Sequence, residues 1–264
     1  VRDAVIEWGA KKFTGGGYSG DFSLPVVAET WDGFLNDING FHVKKEHVFQ
    51  ALDSAKTGAI AEGNVGGGTG MIAHGFKGGT GTSSRVLDIK EGGYTVGVLV
   101  QANYGSRALF SVAGVPVGTE ITDLRPVQGK ADDGQGSIIV VVATDAPLLP
   151  HQLKRLVKRV SLGVGNVGGR GENSSGDIFI AFSTANAAEA SKNEGVANLL
   201  MMPNDRINLL FRATVEATEE AILNALVAAE TMKGFKGNTA FALPHDRLKS
   251  ALKKYNRLRE STTR

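Results

Sequence analysis

Apolar residues fall along this chain in short runs of differing period, and the periods predict a mixture of strands and helices. Ser137–Thr144, "SIIVVVAT", lacks polar alternation, and an unbroken β-branched run suits a central strand covered on both faces. Asp177–Asn186 alternates Ile178, Ile180 and Phe182 against Phe179, Ala181 and Ser183, which predicts another strand. Arg85–Gly105 predicts a hairpin turning at Glu91-Gly92-Gly93, and "ALFSVAGVPVG" (Ala108–Gly118) a further short strand. Phe22–Val43 reads as extended pieces and turns.

Helical spacing appears elsewhere. Lys44–Asn64 predicts a helix on a ragged stripe of Val48, Leu52, Ala55 and Ile60, stopping at Gly63. Pro150 opens another, with Leu153, Leu156, Val157 and Val160 at i, i+3, i+4 and i+7 and Gly163 as its stop. An apolar segment, Ile207–Val215, leads into an amphipathic helix over Glu216–Phe235, and Pro244–Arg259 forms a terminal helix. Strands paired with helices, without βαβ regularity, imply layered α/β packing in which helices cover a mostly antiparallel or mixed sheet. Residues 126–136, "PVQGKADDGQG", carry three Gly, two Asp and a single apolar side chain, and read as a linker.

Composition narrows the function classes. The chain has 264 residues and a net charge of +2, too small to argue for a nucleic-acid partner. No window approaches the roughly 18 apolar residues of a membrane span. Cys is absent, so disulfides, thiol nucleophiles and Cys-ligated metals are excluded. The five His residues (His42, His47, His74, His151, His245) show no metal-ligand spacing, and no metal or cofactor is expected. The cytoplasm is favoured over the periplasm as compartment. The chain has no signal-peptide layout and no initiator Met, which fits a fragment or a processed product. Its 35 Gly residues cluster within sequence that also carries apolar runs, which suits backbone at positive φ or in close approach to another group.

Two glycine motifs fail on context. Gly163-x-Gly165-x-x-Gly168 resembles a dinucleotide fingerprint but follows a helix, where such a motif opens one after a strand. "GMIAHGFK" (Gly70–Lys77) approaches a phosphate-binding loop but lacks the adjacent Gly-Lys and the following Ser or Thr. No Gly-x-Ser-x-Gly elbow occurs. Two serines stand at strand starts: Ser137, after Gly136 and the linker, and Ser175 in "ENSSGD", two residues before Asp177. Each could be a turn residue or a nucleophile, and the residues alone leave both readings open.

Five stretches in order, "LPVVAETWDGFLNDI", "GNVGGGTGM", "VGVLVQANYG", "GSIIVVVATDAPLLPHQLKRL" and "NSSGDIFIAFSTAN", resemble the L-aminopeptidase/D-esterase family, which includes the β-peptidyl aminopeptidases. The resemblance runs from about Leu24 to the last helix. It implies a layered αββα sandwich and a precursor that cuts itself between Gly136 and Ser137. Residues 1–136 would then form the larger-subunit portion, beginning inside the family's longer N-terminal piece, and 137–264 the smaller subunit, the two making one domain. The resemblance makes Ser137 the nucleophile, with Ser175 and Asp177 orienting it and Asn103 donating to the oxyanion. Glu29 of "VVAET" would bind the substrate's free amine. Where some members carry a catalytic Tyr this chain has Trp31, which cannot accept a hydrogen bond or titrate, so either help to the oxyanion weakens or Trp31 only shapes the pocket. A free α-amine, with pKa about 7.7–8.0, could serve Ser137 as its own base. Implied partners are small peptides, amides or esters with a free amine, and other copies of the chain in a tetramer of processed pairs. The rival readings are an acyltransferase of the ornithine acetyltransferase kind, which uses Thr as nucleophile, and an inactive scaffold.

Overall fold

A computed structural model describes residues 1–12, 23–127, 136–192 and 195–259, so the linker expected over 126–136 lies outside the described residues except at its ends. The chain divides into two compact units, one of Val1–Glu29 with Asp37–Ile60, the other of Thr30–Asn36 with Ala61–Arg264.

The first unit pairs helix α1 (Arg2–Lys12) with α2 (Lys45–Asp53). The Trp8 indole donates to Asp53 at 3.0 Å. The helix expected over 44–64 is shorter than its ragged stripe suggested. The Ser54 N–H closes it on the Gln50 carbonyl, and Gly58 at φ +112° cannot continue a right-handed helix.

The second unit contains, in chain order, β1 (Ile72–Ala73), β2 (Phe76–Lys77), β3 (Gly79–Val86), β4 (Thr95–Asn103), α3 (Val117–Glu120), β5 (Ser137–Thr144), α4 (Pro150–Val157), α5 (Val160–Val167), β6 (Ile178–Ser183), α6 (Ala187–Ala190), α7 (Asn208–Val227), β7 (Met232–Lys233), β8 (Thr239–Ala240) and α8 (His245–Lys254). Four strands form one mixed sheet in the order β3-β4-β5-β6. The first two pairings are antiparallel, and β5 runs parallel to β6. β1 pairs with β2 and β7 with β8 as short ribbons. This is the mixed, layered α/β architecture that the periodicities predict.

One face of the sheet is dry. Val96, Val98, Val100 and Ala102 of β4 lie opposite Thr144, Val142, Val140 and Ile138 of β5, all buried beneath the helices. α7 crosses β3 and β4 and packs on α5. A Cβ on Gly81 would stand 2.0 Å from the Ala221 carbonyl oxygen, so the helix rests directly on strand backbone. The other face is only half covered: Leu99, Val141 and Ala143 are half-buried, so β5 is less fully enclosed than its apolar run predicts.

Three further boundaries differ from expectation. The helix from Pro150 breaks after Val157 and resumes as α5, capped by Gly168 at φ +111°, while Gly163 lies inside α5, where a Cβ would meet Thr218 at 2.7 Å. That glycine serves helix contact rather than a stop. Ile207–Val215 is not a separate segment: α7 begins at Asn208, and buried Thr214 and Thr218 satisfy their hydroxyls on the carbonyls four residues back. Ala108–Gly118 forms no strand but a tight reversal closed by a single Val112–Val115 bridge.

Candidate active site

The strand pairings place four of the sequence-predicted residues together. Ser137 opens β5, and its register partner is Asn103, the last residue of β4. Ser175 and Asp177 occupy the loop that enters β6, whose parallel pairing with β5 brings that loop beside Ser137. Three chain segments thus converge where the sheet ends: the last residue of β4, the first of β5 and the loop that enters β6.

The hydrogen bonds there are continuous. The Gly176 N–H donates to Ser137 Oγ at 2.9 Å, which occupies one lone pair and leaves the hydroxyl proton to be given away. Ser175 Oγ donates to Asp177 Oδ1 at 2.5 Å, and the same carboxylate oxygen accepts the Ile138 N–H at 3.1 Å. Asp177 therefore ties Ser175 to the residue that follows Ser137. Having donated its proton, the Ser175 oxygen keeps its lone pairs as acceptors.

Asn103 is buried and held at both ends of its amide. Oδ1 accepts the Ile72 N–H at 2.8 Å, and Nδ2 donates to the Trp31 carbonyl at 2.8 Å. An N–H can only donate and a carbonyl only accept, so the pair fixes which way the amide faces and leaves one Nδ2 hydrogen to offer elsewhere. Trp31 thus enters the site through its main chain. Trp31 as a residue is 62% exposed, and its indole lies over Gly33, where a Cβ would come within 2.8 Å of the ring.

Gly136 has φ +144°, and a Cβ there would stand 2.0 Å from the Asn103 carbonyl oxygen. Conformation and space both call for glycine immediately before Ser137. Tyr104, next to Asn103, is buried with its hydroxyl unpartnered among the described residues; burial, and then the Asp177 carboxylate, push the phenol well above its ordinary range and keep it neutral. Glu29 is exposed and belongs to the first compact unit. Among the described residues no three His, Cys, Asp or Glu side chains cluster as a metal site would need.

Sequence reasoning missed the donors and acceptors supplied by backbone: the N–H of Gly176, the N–H of Ile72 and the carbonyl of Trp31. Backbone groups leave no side-chain signature, and the nearest trace was the glycine inside "SSGD".

Residues 1–240 match peptidase family S58. The β-peptidyl aminopeptidase BapA of Sphingosinicella microcystinivorans is 54% identical over 98% of this chain and 67% of its own length. The BapA of Sphingosinicella xenopeptidilytica is 48% identical over 87% of this chain and 60% of its own. Among solved structures, a Burkholderia sp. β-aminopeptidase superposes with a TM-score of 0.85 at 48% identity, covering 98% of this chain and 71% of the other. The L-aminopeptidase D-Ala-esterase/amidase of Ochrobactrum anthropi, described as a prototype for the serine aminopeptidases and a variant of the Ntn-hydrolase fold, gives 0.88 at 44% identity, again over 98% and 71%. Fold and comparisons together define a hydrolase of the aminopeptidase class. The chain belongs to peptidase family S58.

Proposed function

We propose that this chain is a self-processing serine aminopeptidase that cuts its own Gly136–Ser137 bond and then uses Ser137 to release N-terminal residues from small peptides, amides and esters. The observation that carries the reading is the Asn103–Ser137 strand pair with the Ser175–Asp177 hydrogen bond beside it. In the first reaction Ser137 Oγ gives up its proton and attacks the Gly136 carbonyl carbon. The C–N bond breaks, the departing Ser137 nitrogen takes the proton, and an ester remains. Water hydrolyses that ester, leaving a Gly136 carboxylate, a free Ser137 hydroxyl and a free α-amine. The full run of β4–β5 pairs, from Val96–Thr144 to Asn103–Ser137, holds the two pieces together afterwards.

In turnover the α-amine, with pKa about 7.7–8.0 when unperturbed, accepts the hydroxyl proton as Oγ attacks the substrate carbonyl. Ser175 and Asp177 hold amine and hydroxyl in register. The second Nδ2 hydrogen of Asn103 meets the developing oxyanion, a contact pre-aimed by its two backbone partners. The departing amine leaves protonated, and water resolves the acyl ester on Ser137.

Glu29 pairs with the substrate ammonium and so requires a free N-terminus, and the Trp31 indole forms a wall of the pocket. The names of the BapA relatives and of the Burkholderia neighbour support an N-terminal β-amino residue as substrate. Residues 1–136 are the larger-subunit portion and 137–264 the smaller subunit of one domain, assembled as a tetramer of processed pairs. The test is a panel of β-alanyl and L-alanyl p-nitroanilides with free and acetylated amines. Free-amine substrates should turn over and acetylated ones should not. Glu29→Gln should raise KM for the free amines by about 10-fold, the scale of one charge-assisted hydrogen bond. Equal turnover of blocked and free substrates would remove Glu29 from its assigned role.

A further inference from the structure

Lys77 carries a charge with no exposed surface, and the chemistry above does not use it. Burying an ammonium costs several kcal/mol unless its protons are satisfied, so such a residue is a poor choice for filling space. Its Nζ donates to the Gly68 carbonyl at 3.0 Å and the Gly78 carbonyl at 2.7 Å. Those carbonyls stand at the two ends of the 68–78 segment, which holds the β1–β2 ribbon and whose backbone also bonds Gly78 N–H to the Met71 carbonyl at 2.9 Å and Met71 N–H to Gly68 at 3.4 Å.

The residue after Met71 is Ile72, whose N–H fixes Asn103 Oδ1. The second support of Asn103 leads back to the same lysine. Asp32, immediately after Trp31, is the carboxylate whose charge acts on Lys77, and it is itself bonded by Asn36 Nδ2. A Cβ on Gly70 would stand 2.6 Å from both Asp32 Oδ2 and Asn36 Nδ2, so residues 30–36 sit directly on the 68–78 segment. The Trp31 carbonyl is thus one residue from the carboxylate that faces Lys77, and the Ile72 N–H belongs to the peptide whose Met71 carbonyl accepts the N–H of Gly78, the residue whose own carbonyl Lys77 grips.

We infer that Lys77 is a positioning residue for the oxyanion donor: its buried Nζ, donating to both carbonyls and facing Asp32, locks the 68–78 segment and so sets the direction of the Asn103 amide. The inference rests on the role proposed for Asn103, but the geometry can be read without any activity. In a Ser137→Ala chain, which cannot cut itself, the two Asn103 Nδ2 protons should give resolved, slowly exchanging NMR signals, identified by their absence on adding Asn103→Ala. Lys77→Met in that chain should speed their exchange with solvent about 10-fold or more, while β4 and β5 backbone amides, which report deeper openings, stay protected. In the cutting-competent chain the same substitution should slow self-cleavage about 10-fold, part of what loss of a whole oxyanion donor costs.

Lys77→Met that leaves Asn103 exchange unchanged overturns the inference, as does one that speeds exchange of the sheet amides equally, since the lysine would then be a general strut. If Lys77→Met does not fold, Asp32→Asn decides. Faster Asn103 exchange with an intact sheet supports the inference, and unchanged exchange rejects it. Full self-cleavage by Asn103→Ala would remove the oxyanion role itself, an outcome separate from any result at Lys77.

Discussion

The middle and the end of one pair of strands do opposite jobs. Midway along β4–β5, Val98 faces Val142 and Val100 faces Val140, with no polar group to satisfy off the backbone. At the end of the same ladder Asn103 faces Ser137, and each side-chain polar atom there has a designated partner: Ile72, Trp31 or Gly176. The middle contributes stability through area removed from water, which tolerates small displacements. The end contributes direction, where one lost partner re-aims a donor. A sheet can thus hold a half-buried serine, the proposed nucleophile, because neighbouring residues on the same strands keep the backbone still.

The contrast can be broken from either side. The largest effect belongs to Ser137→Ala, which should abolish self-cleavage and turnover while leaving the melting temperature essentially unchanged; retained turnover would move the nucleophile elsewhere. Next comes Asn103→Ala, expected to slow both reactions about 100- to 1000-fold, as removal of an oxyanion donor does, with KM little altered. Val140→Ala should invert the pattern. It should lose about 2 kcal/mol of stability in denaturant titration, with self-cleavage within about twofold of the parent. A large catalytic loss there would erase the distinction between middle and end.

The smallest effect is a slope. Burial, opposed by Asp32, lowers the Lys77 pKa to about 7 from its ordinary 10.5. Between those values the unfolded chain holds a proton that the folded chain has released, so folding is favoured as pH rises through the window. Below about 7 both states are protonated and the slope vanishes. Stability should therefore climb by at most about 1.4 kcal/mol per pH unit from this group, and Lys77→Met should flatten that part of the curve.

Much of this arrangement was legible beforehand, for identifiable reasons. The apolar run from Ser137 marked β5, and the Glu91-Gly92-Gly93 turn marked the β3–β4 connection, although β3 runs over Gly79–Val86, mostly before the Arg85 at which the hairpin was expected to begin, because its Gly- and Ser-rich stretch carries little apolar period. Helix limits were less legible. Gly163 looks like a stop in sequence but is a contact with Thr218, a distinction only tertiary packing makes. The four candidate side chains could be named only through the family resemblance, and their backbone supports not at all. Residue 31 holds Asn103 through its main-chain carbonyl, which any residue would offer, and Lys77 among glycines looked like an imperfect phosphate loop when its partners are carbonyls.

At the end of the ladder the chain is proposed to break itself and free a nucleophile. Intact-mass measurement of freshly purified protein tests it most directly. Two species whose masses part between Gly136 and Ser137 are predicted for the parent, and one uncut species for Ser137→Ala. An active preparation in which residues 136 and 137 remain joined would contradict it.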